Sequence, residues 1–441
     1  MCGIVGWIDF SKNLQDQARV LAAMTDPLIP RGPDASGYWL SEHTALGHCR
    51  LVVVDPEGGK QPMSRQRGDQ FYVMVYNGEL YNTEDIRQEL LARGYVFKGW
   101  SDTEVLLLSY MEWGEKCLEK LNGIFAFAIW DEKNQHLFLA RDRIGVKPLF
   151  YSKLGTSFLF ASEIKALLAH PLVSPRINRE GLAEIFVLGP ARTPGHGVFS
   201  GISELKPGHC MTVSREGVAV KPYWSLKSFP HEDDLAQTIT TVRDLVIDAI
   251  KRQLVSDVPL CTLLSGGLDS SAITAVAASE YQKKGNEPFR TFSIDYVGNE
   301  EHFRMNEFQP NADAPWVDKV ADYLGTKHCH CLIDTHDLVD SLIPAVIARD
   351  LPGMTDIDSS LLLFSIEIKK QATVGLSGEC ADEVFGGYPW FYRQDEKEKM
   401  TFPWSRRLDI RTGFFSPELV DLIKPHEYMA ARYQEALDEV P

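Results

Sequence analysis

The residue after the initiator is a cysteine, and its position matters more than its type. Once Met1 is removed, Cys2 carries a thiol and a free α-amino group on one residue. Such an amine titrates near about 7.7–8.0, so it can take the thiol proton close to neutral pH. A nucleophile activated by its own terminal amine is one route to covalent catalysis. The glycines of Gly3-Ile-Val-Gly6 leave room for backbone and substrate to approach closely. A different chemistry is written at Ser265-Gly-Gly-Leu-Asp-Ser-Ser271, between an apolar strand, Pro259–Leu264, and a helical run. Glycines at that junction turn several N–H groups toward one point. The helix dipole and the serine hydroxyls then favour a phosphate there. No Lys-Ser or Lys-Thr follows the glycines, so the loop is not a Walker A motif. A second loop, Leu376-Ser-Gly-Glu-Cys-Ala-Asp-Glu-Val-Phe-Gly-Gly-Tyr388, follows another apolar strand. In an open α/β sheet it would reach the same carboxyl edge, where ligands bind. That edge brings Asp269 and Asp382 together as candidate Mg²⁺ ligands, a cation that takes a few carboxylates plus phosphate oxygens and water.

The elements that must position these residues follow from periodicity. Strands are expected at Gly3–Asp9, Phe71–Tyr76, Ile124–Asp131, Leu137–Arg141 and Phe158–Ala161, with helices at Leu14–Thr25, Glu84–Arg93 and Thr103–Trp113. From about Thr240 the rhythm changes to strands alternating with helices. The strands there are Pro259–Leu264, Thr291–Tyr296, His328–Ile333 and Thr373–Leu376; the helices include Ser270–Tyr281 and Trp316–Leu324. That alternation predicts a parallel α/β sheet. The join falls between Pro207 and His231, giving domains at 1–215 and 235–441. His328-Cys329-His330-Cys331 resembles a metal-ligand cluster, yet strand alternation sends the two cysteines to one face and the two histidines to the other. Ligands of a tetrahedral site must converge, so a structural strand is the expected reading.

Composition narrows the partners. Lys and Arg number 45 against 61 Asp and Glu, a net charge of −16, which argues against gripping a nucleic-acid duplex. A membrane partner is not expected, because no apolar run approaches the roughly 18 residues of a span. The N-terminus lacks the basic flank of a signal peptide. Eight scattered cysteines suit a reducing compartment, so a cytoplasmic location is expected.

Six segments of the first half occur in an order that carries a resemblance: Arg31-Gly-Pro-Asp34, His48-Cys-Arg-Leu51, Tyr76-Asn-Gly-Glu-Leu-Tyr-Asn82, Ser101-Asp-Thr-Glu104, Arg141–Tyr151 and Ala161–Leu167. Together with Cys2 they resemble the class II glutamine amidotransferase domain. The resemblance implies an N-terminal-nucleophile hydrolase fold, an α+β sandwich of αββα type. It also implies that Cys2 is the nucleophile and that Arg50 grips the glutamine carboxylate, which a guanidinium does bidentately. Asp102, helped by Glu79, takes the substrate ammonium. Asn77 and Gly78 form the oxyanion hole, although read alone Asn-Gly is a strong hairpin-turn signal.

The second half resembles the pyrophosphatase-loop domain of ATP-dependent adenylating enzymes, an α/β parallel sheet of the adenine-nucleotide α-hydrolase type. The implied ATP-binding residues are Leu264, Ser265, Gly266, Gly267, Asp269, Ser270, Ile294, Ser377 and Gly378. Asp269 and Asp382 hold Mg²⁺, and Glu379 orients or deprotonates the incoming ammonia. With both halves in one chain, the resemblance is to the glutamine-hydrolysing asparagine synthetases, from Cys2 to about Tyr392. It implies glutamine, aspartate and ATP as substrates, with asparagine, AMP and pyrophosphate as products. A homodimer is the family's assembly. Members of that family continue beyond the point matching Pro441, so a shortened chain is expected. Two other readings stay open: an amidotransferase acting on a different carboxylate, and a chain that binds nucleotide and at most hydrolyses glutamine.

Overall fold

The structure, a computed structural model, describes residues 1–285, 287–305, 311–393 and 401–440. Packing divides the chain into two units: Met1–Ser228 with the segment from Arg407 onward, and Phe229–Arg406. Among the described residues, no helix is long and apolar enough to cross a membrane.

The first unit is built on two six-stranded sheets. One has the order β10 (Ile202–Glu204), β8 (Phe150–Leu154), β9 (Ser157–Ala161), β1 (Gly3–Asp9), β3 (Thr44–Arg50), β2 (Ala35–Leu40). The other has the order β12 (Gly217–Pro222), β11 (His209–Ser214), β7 (His136–Arg141), β6 (Gly123–Asp131), β5 (Gln70–Leu80), β4 (Met63–Arg67). All their pairings are antiparallel. Period-2 alternation explains the stacking. On β5, Val73 and Val75 point into a core shared with Ile4 and Ile8 of β1, while Tyr72, Met74 and Tyr76 point into a second core. That second core is closed by the helices Thr83–Ala92 and Asp102–Trp113. The helices Ala18–Thr25 and Ile164–Leu168 cover the other sheet. The result is the αββα sandwich expected from the sequence. Because β5 and β6 are buried on both faces, they read as continuous apolar runs.

Two local findings depart from the sequence reading. Strand β5 runs on to Leu80, so Asn77 and Gly78 lie inside it, opposite Ala126 and Phe125, and form no hairpin turn. Burial on both faces and pairing with β6 outweigh the turn preference of Asn-Gly. The helical tail, Pro425–Asp438, packs against the helix Arg179–Leu188, where the Tyr428 hydroxyl donates to Glu184 Oε2 at 2.5 Å.

The second unit carries a parallel sheet in the order β15 (Lys327–Ile333), β14 (Arg290–Tyr296), β13 (Leu260–Leu263), β16 (Val374–Leu376). The helices Leu268–Lys283 and Ala314–Leu324 follow β13 and β14. On β15 the faces separate as alternation predicts. Cys329 and Cys331 pack into the core with Phe292 and Phe364. His328 and His330 sit on the other face, 4.4 Å apart between ring centroids, and both hydrogen-bond Ser293 Oγ at 3.0 Å.

Candidate functional sites

The first site lies at one end of the core between the two sheets. Cys2 continues the alternation of Ile4 and Ile8, and Asn77 and Glu79 continue that of Val73 and Val75, so both sets turn toward the inter-sheet space. The Cys2 sulfur accepts from the Leu51 N–H at 3.4 Å, and its own carbonyl accepts from Arg31 Nε at 2.9 Å. Arg31 is tied in turn to Glu163 at 2.7 Å, which fixes the chain end. Burial pushes the Cys2 thiol above its usual pKa, while the Leu51 N–H, the chain's amino terminus and Arg50 pull the other way. The thiol therefore needs a base beside it, as its α-amine would be.

Asn77 is only 1% exposed, and its Nδ2 is buried with no hydrogen-bond partner among the described residues. Such a donor is costly to leave unsatisfied, about 1–3 kcal/mol. It points to an acceptor that arrives only with a ligand. Opposite Gly78, Phe125 directs its own N–H and C=O to Asp142. The Gly78 amide therefore faces the other edge of β5, where Gln61 Oε1 already takes the Tyr76 N–H at 2.6 Å. A side chain at Gly78 is excluded, since a Cβ would lie 2.4 Å from the Ile124 carbonyl oxygen and 2.8 Å from Phe125 Cα.

Arg50 ends β3, is 6% exposed, and donates to the carbonyls of Pro56 and Asp55 at 2.6 Å and Val54 at 3.3 Å. Its Nε–H and the second Nη1 hydrogen have no acceptor among the described residues. A carboxylate could therefore still be taken there. Asp102, in the first turn of its helix after the Ser101 cap, accepts from the Tyr76 hydroxyl at 2.8 Å and the Leu80 N–H at 3.1 Å. Burial raises its pKa against those bonds. Glu79 is pushed up to about 7, first by burial and then by Asp102. Two carboxylates competing for charge in one place suit a cationic ligand.

The second site is a cavity of about 420 Å³ at the carboxyl edge of the parallel sheet. Of the residues expected to bind nucleotide, metal or ammonia, it is lined by Leu264, Ser265, Gly267, Asp269, Ser270, Ile294, Ser377, Gly378, Glu379 and Asp382. Gly266 is not on the lining. It adopts φ +78° beneath the loop, where a Cβ would lie 2.6 Å from Trp316 Cβ. The helix Leu268–Lys283 starts at Gly267 with no side-chain cap, so its first N–H groups remain available to an anion. The loop is braced by Ser270, whose Oγ accepts from the Ser265 N–H at 3.2 Å. The two glycine loops touch: a Cβ on Gly378 would sit 3.1 Å from the Ser270 nitrogen and 3.2 Å from Asp269 Cβ.

Sequence reasoning missed Asp295, Tyr296, Asp313 and His330, which complete this wall from separate strands and helices. Asp313 is raised by burial and then by Asp295. Carboxylates at positions 269, 295, 313, 379 and 382 line the cavity, with no lysine or arginine among the described lining residues. In the first unit, Lys147 was missed as well; it is 5% exposed and its field reaches both Cys2 and Glu79.

Residues 1–224 match the family model of the glutamine amidotransferase domain, and residues 241–441 match that of asparagine synthase. The chain is 54% identical, over its full length and 72% of the relative's, to asparagine synthetase [glutamine-hydrolyzing] 3 of Bacillus subtilis. It is 34% identical to synthetase 1 of the same organism, over 88% of this chain and 59% of that one. Against asparagine synthetase [glutamine-hydrolyzing] 2 of Arabidopsis thaliana the identity is 32%, over 90% of this chain and 63% of that one.

Proposed function

The chain belongs to the glutamine-hydrolysing asparagine synthetase family, and from that premise we propose that it makes asparagine from aspartate, glutamine and ATP. In the first unit the α-amine of Cys2, exposed by loss of Met1, takes the thiol proton. The thiolate attacks the side-chain amide carbon of glutamine. Asn77 Nδ2 and the Gly78 N–H receive the oxyanion, Arg50 holds the α-carboxylate, and Asp102 with Glu79 holds the α-ammonium. Ammonia leaves with the proton, and water hydrolyses the thioester to glutamate. The observation that carries this reading is the buried, partnerless amide of Asn77 beside the nucleophile's end of the core. It is a donor kept ready for charge that develops during reaction.

In the second unit the cavity takes ATP, its adenine beside Ile294 and its phosphates at Ser265–Ser270 and Ser377–Gly378. Aspartate's side-chain carboxylate attacks the α-phosphorus and expels pyrophosphate. Ammonia then attacks the aspartyl-adenylate, with Glu379 orienting it or taking its proton, and AMP leaves. The carboxylate-lined wall supports a divalent cation, with Asp269 and Asp382 as its protein ligands. Bound Mg²⁺ would neutralise phosphate charge. Cytoplasmic location and a homodimer, as in the family, complete the proposal.

The test replaces Cys2 with Ala in the full chain. Glutamine-dependent asparagine formation should disappear while ammonia-dependent formation persists, because the two chemistries use separate residues. Loss of both in a folded variant contradicts the assignment.

A further inference from the structure

Strand β4 covers the outer edge of β5 for only part of its length. The pairing runs from Arg67 opposite Gln70 back to Met63 opposite Met74, where β4 begins. Extended by four more residues, that register would set Gln61 opposite Tyr76 and Gly59 opposite Gly78. The Gly78 N–H would then face a paired strand and not a ligand. The chain departs from this course at Gln61. A Cβ on Gly37 of β2 would run into the Gln61 carbonyl oxygen and lie 3.0 Å from Pro62 Cδ, so the Gln61 backbone is seated against β2.

The Gln61 side chain reaches β5 in place of that backbone. Its Oε1 accepts the Tyr76 N–H at 2.6 Å. The Tyr76 carbonyl, on the same edge, accepts from His48 Nε2 at 3.1 Å, and His48 stands opposite Gly37 in the pairing of β3 with β2. Two side chains thus do at Tyr76 what a neighbouring strand does along the rest of β4. The next residue to present its N–H to this edge is Gly78, because strand backbone alternates with period two. A buried N–H is costly to leave unpaired, so the Tyr76 amide needs an acceptor. A side-chain amide supplies one without bringing a further residue alongside Gly78.

We propose that Gln61 is a positioning residue of the oxyanion hole: its side-chain carbonyl replaces the last rung of the β4–β5 ladder, holding β5 extended at Tyr76 while leaving the Gly78 N–H for the substrate oxygen. The inference rests on the glutamine-hydrolysing reading given above. It gives Gln61 a role exerted through Tyr76 and Gly78, without contact with the substrate. Asp102 is anchored separately, by the Leu80 N–H at 3.1 Å, so the subsite for the substrate ammonium should survive the loss of Gln61.

The experiment follows glutamate release by the full chain for wild type, Gln61→Leu, Gly37→Ala and the double variant. It also measures inhibition by glutamate and by the aldehyde analogue of glutamine. The aldehyde carbon adds the Cys2 thiol and the proton passes to the new hydroxyl, so the adduct is tetrahedral and sets its oxygen in the hole. Gln61→Leu should lower kcat about tenfold to a hundredfold, less than outright loss of a donor, with KM and glutamate inhibition within threefold of wild type. Aldehyde inhibition should weaken by about the same factor as kcat. Gly37→Ala, which keeps Gln61 but displaces its backbone, should show the same pattern, and the double variant should match Gln61→Leu. An unchanged kcat in Gln61→Leu, or glutamate and aldehyde binding weakened alike, overturns the proposal. If neither variant folds, amide exchange in wild type decides. The Tyr76 N–H should exchange about tenfold more slowly than that of Gly78 at rest, and Gly78 should become protected in the aldehyde adduct; equal protection at rest overturns the proposal. Cys2→Ala is the parallel control: glutamate release surviving there refutes the glutaminase reading itself, whichever way the Gln61 variants behave.

Discussion

Replacing Asn77 with Leu separates a catalytic donor from a structural one. The two side chains are close in size, and position 77 is 1% exposed, so Leu fills the space without leaving a void. In the resting protein the Asn77 Nδ2 has no partner among the described residues. Removing it therefore costs no hydrogen bond and relieves an unsatisfied buried donor, with a gain of about 1 kcal/mol or more. For a domain of a few hundred residues that is an unchanged or higher Tm, by about 2–4 °C per kcal/mol. Catalysis should move the opposite way. Loss of one oxyanion-hole donor typically costs about 3–4 kcal/mol, or 10²- to 10³-fold in kcat, and the Gly78 N–H should sustain the remainder. Glutamate release gives kcat and KM, and a thermal melt on the same preparation gives stability. The expected pattern is a collapsed kcat, KM within a few-fold of wild type, and a Tm that does not fall. A kcat within fivefold of wild type refutes the oxyanion role. A parallel fall in Tm and kcat refutes the claim that the amide is idle at rest.

Gly266→Ala should cripple AMP formation about tenfold or more while leaving glutamate release intact, because φ +78° disfavours a side chain and its Cβ would meet Trp316 Cβ at 2.6 Å; wild-type AMP formation refutes the loop's role. Asp269→Asn should raise the Mg²⁺ concentration needed for half-maximal AMP formation and spare glutamate release; an unaltered Mg²⁺ dependence removes Asp269 from the ligand set. His48 is buried, donates Nε2–H to the Tyr76 carbonyl at 3.1 Å, and is lowered to about 4 by burial. Its unfolded form titrates near about 6.5 and binds the proton first, so stability is full above that pH and drains away as pH falls toward 4, by about 3 kcal/mol. Urea midpoints at pH 7.5 and 4.5 should differ less in His48→Gln than in wild type; equal differences exclude His48 as a source of acid sensitivity.

The second site was legible because its chemistry is contiguous. A strand, two glycines and a helix in a row turn backbone N–H groups toward one point, and Ser265–Ser271 and Leu376–Tyr388 each carry their own geometry. What could not be read there was the opposing wall. Asp295, Asp313 and His330 reach the cavity from separate elements, with no spacing to announce them. The first site was legible only as an ordered set of fragments. Asn77-Gly78 illustrates the limit: local propensity gives a turn, whereas burial on both faces of β5 keeps the chain extended. Lys147 sat inside a recognised segment with nothing local to single it out, since its Nζ meets the chain's start, 146 residues away. The tail's packing was hidden for the same reason, since Tyr428 meets Glu184 across 244 residues.

The most direct test supplies the full chain with aspartate, Mg²⁺–ATP and glutamine and quantifies AMP, asparagine and glutamate together. Asparagine and AMP appearing in equal amounts, dependent on aspartate and accompanied by at least as much glutamate, is the predicted result. Glutamate without AMP or asparagine, or AMP that forms equally well without aspartate, contradicts the account.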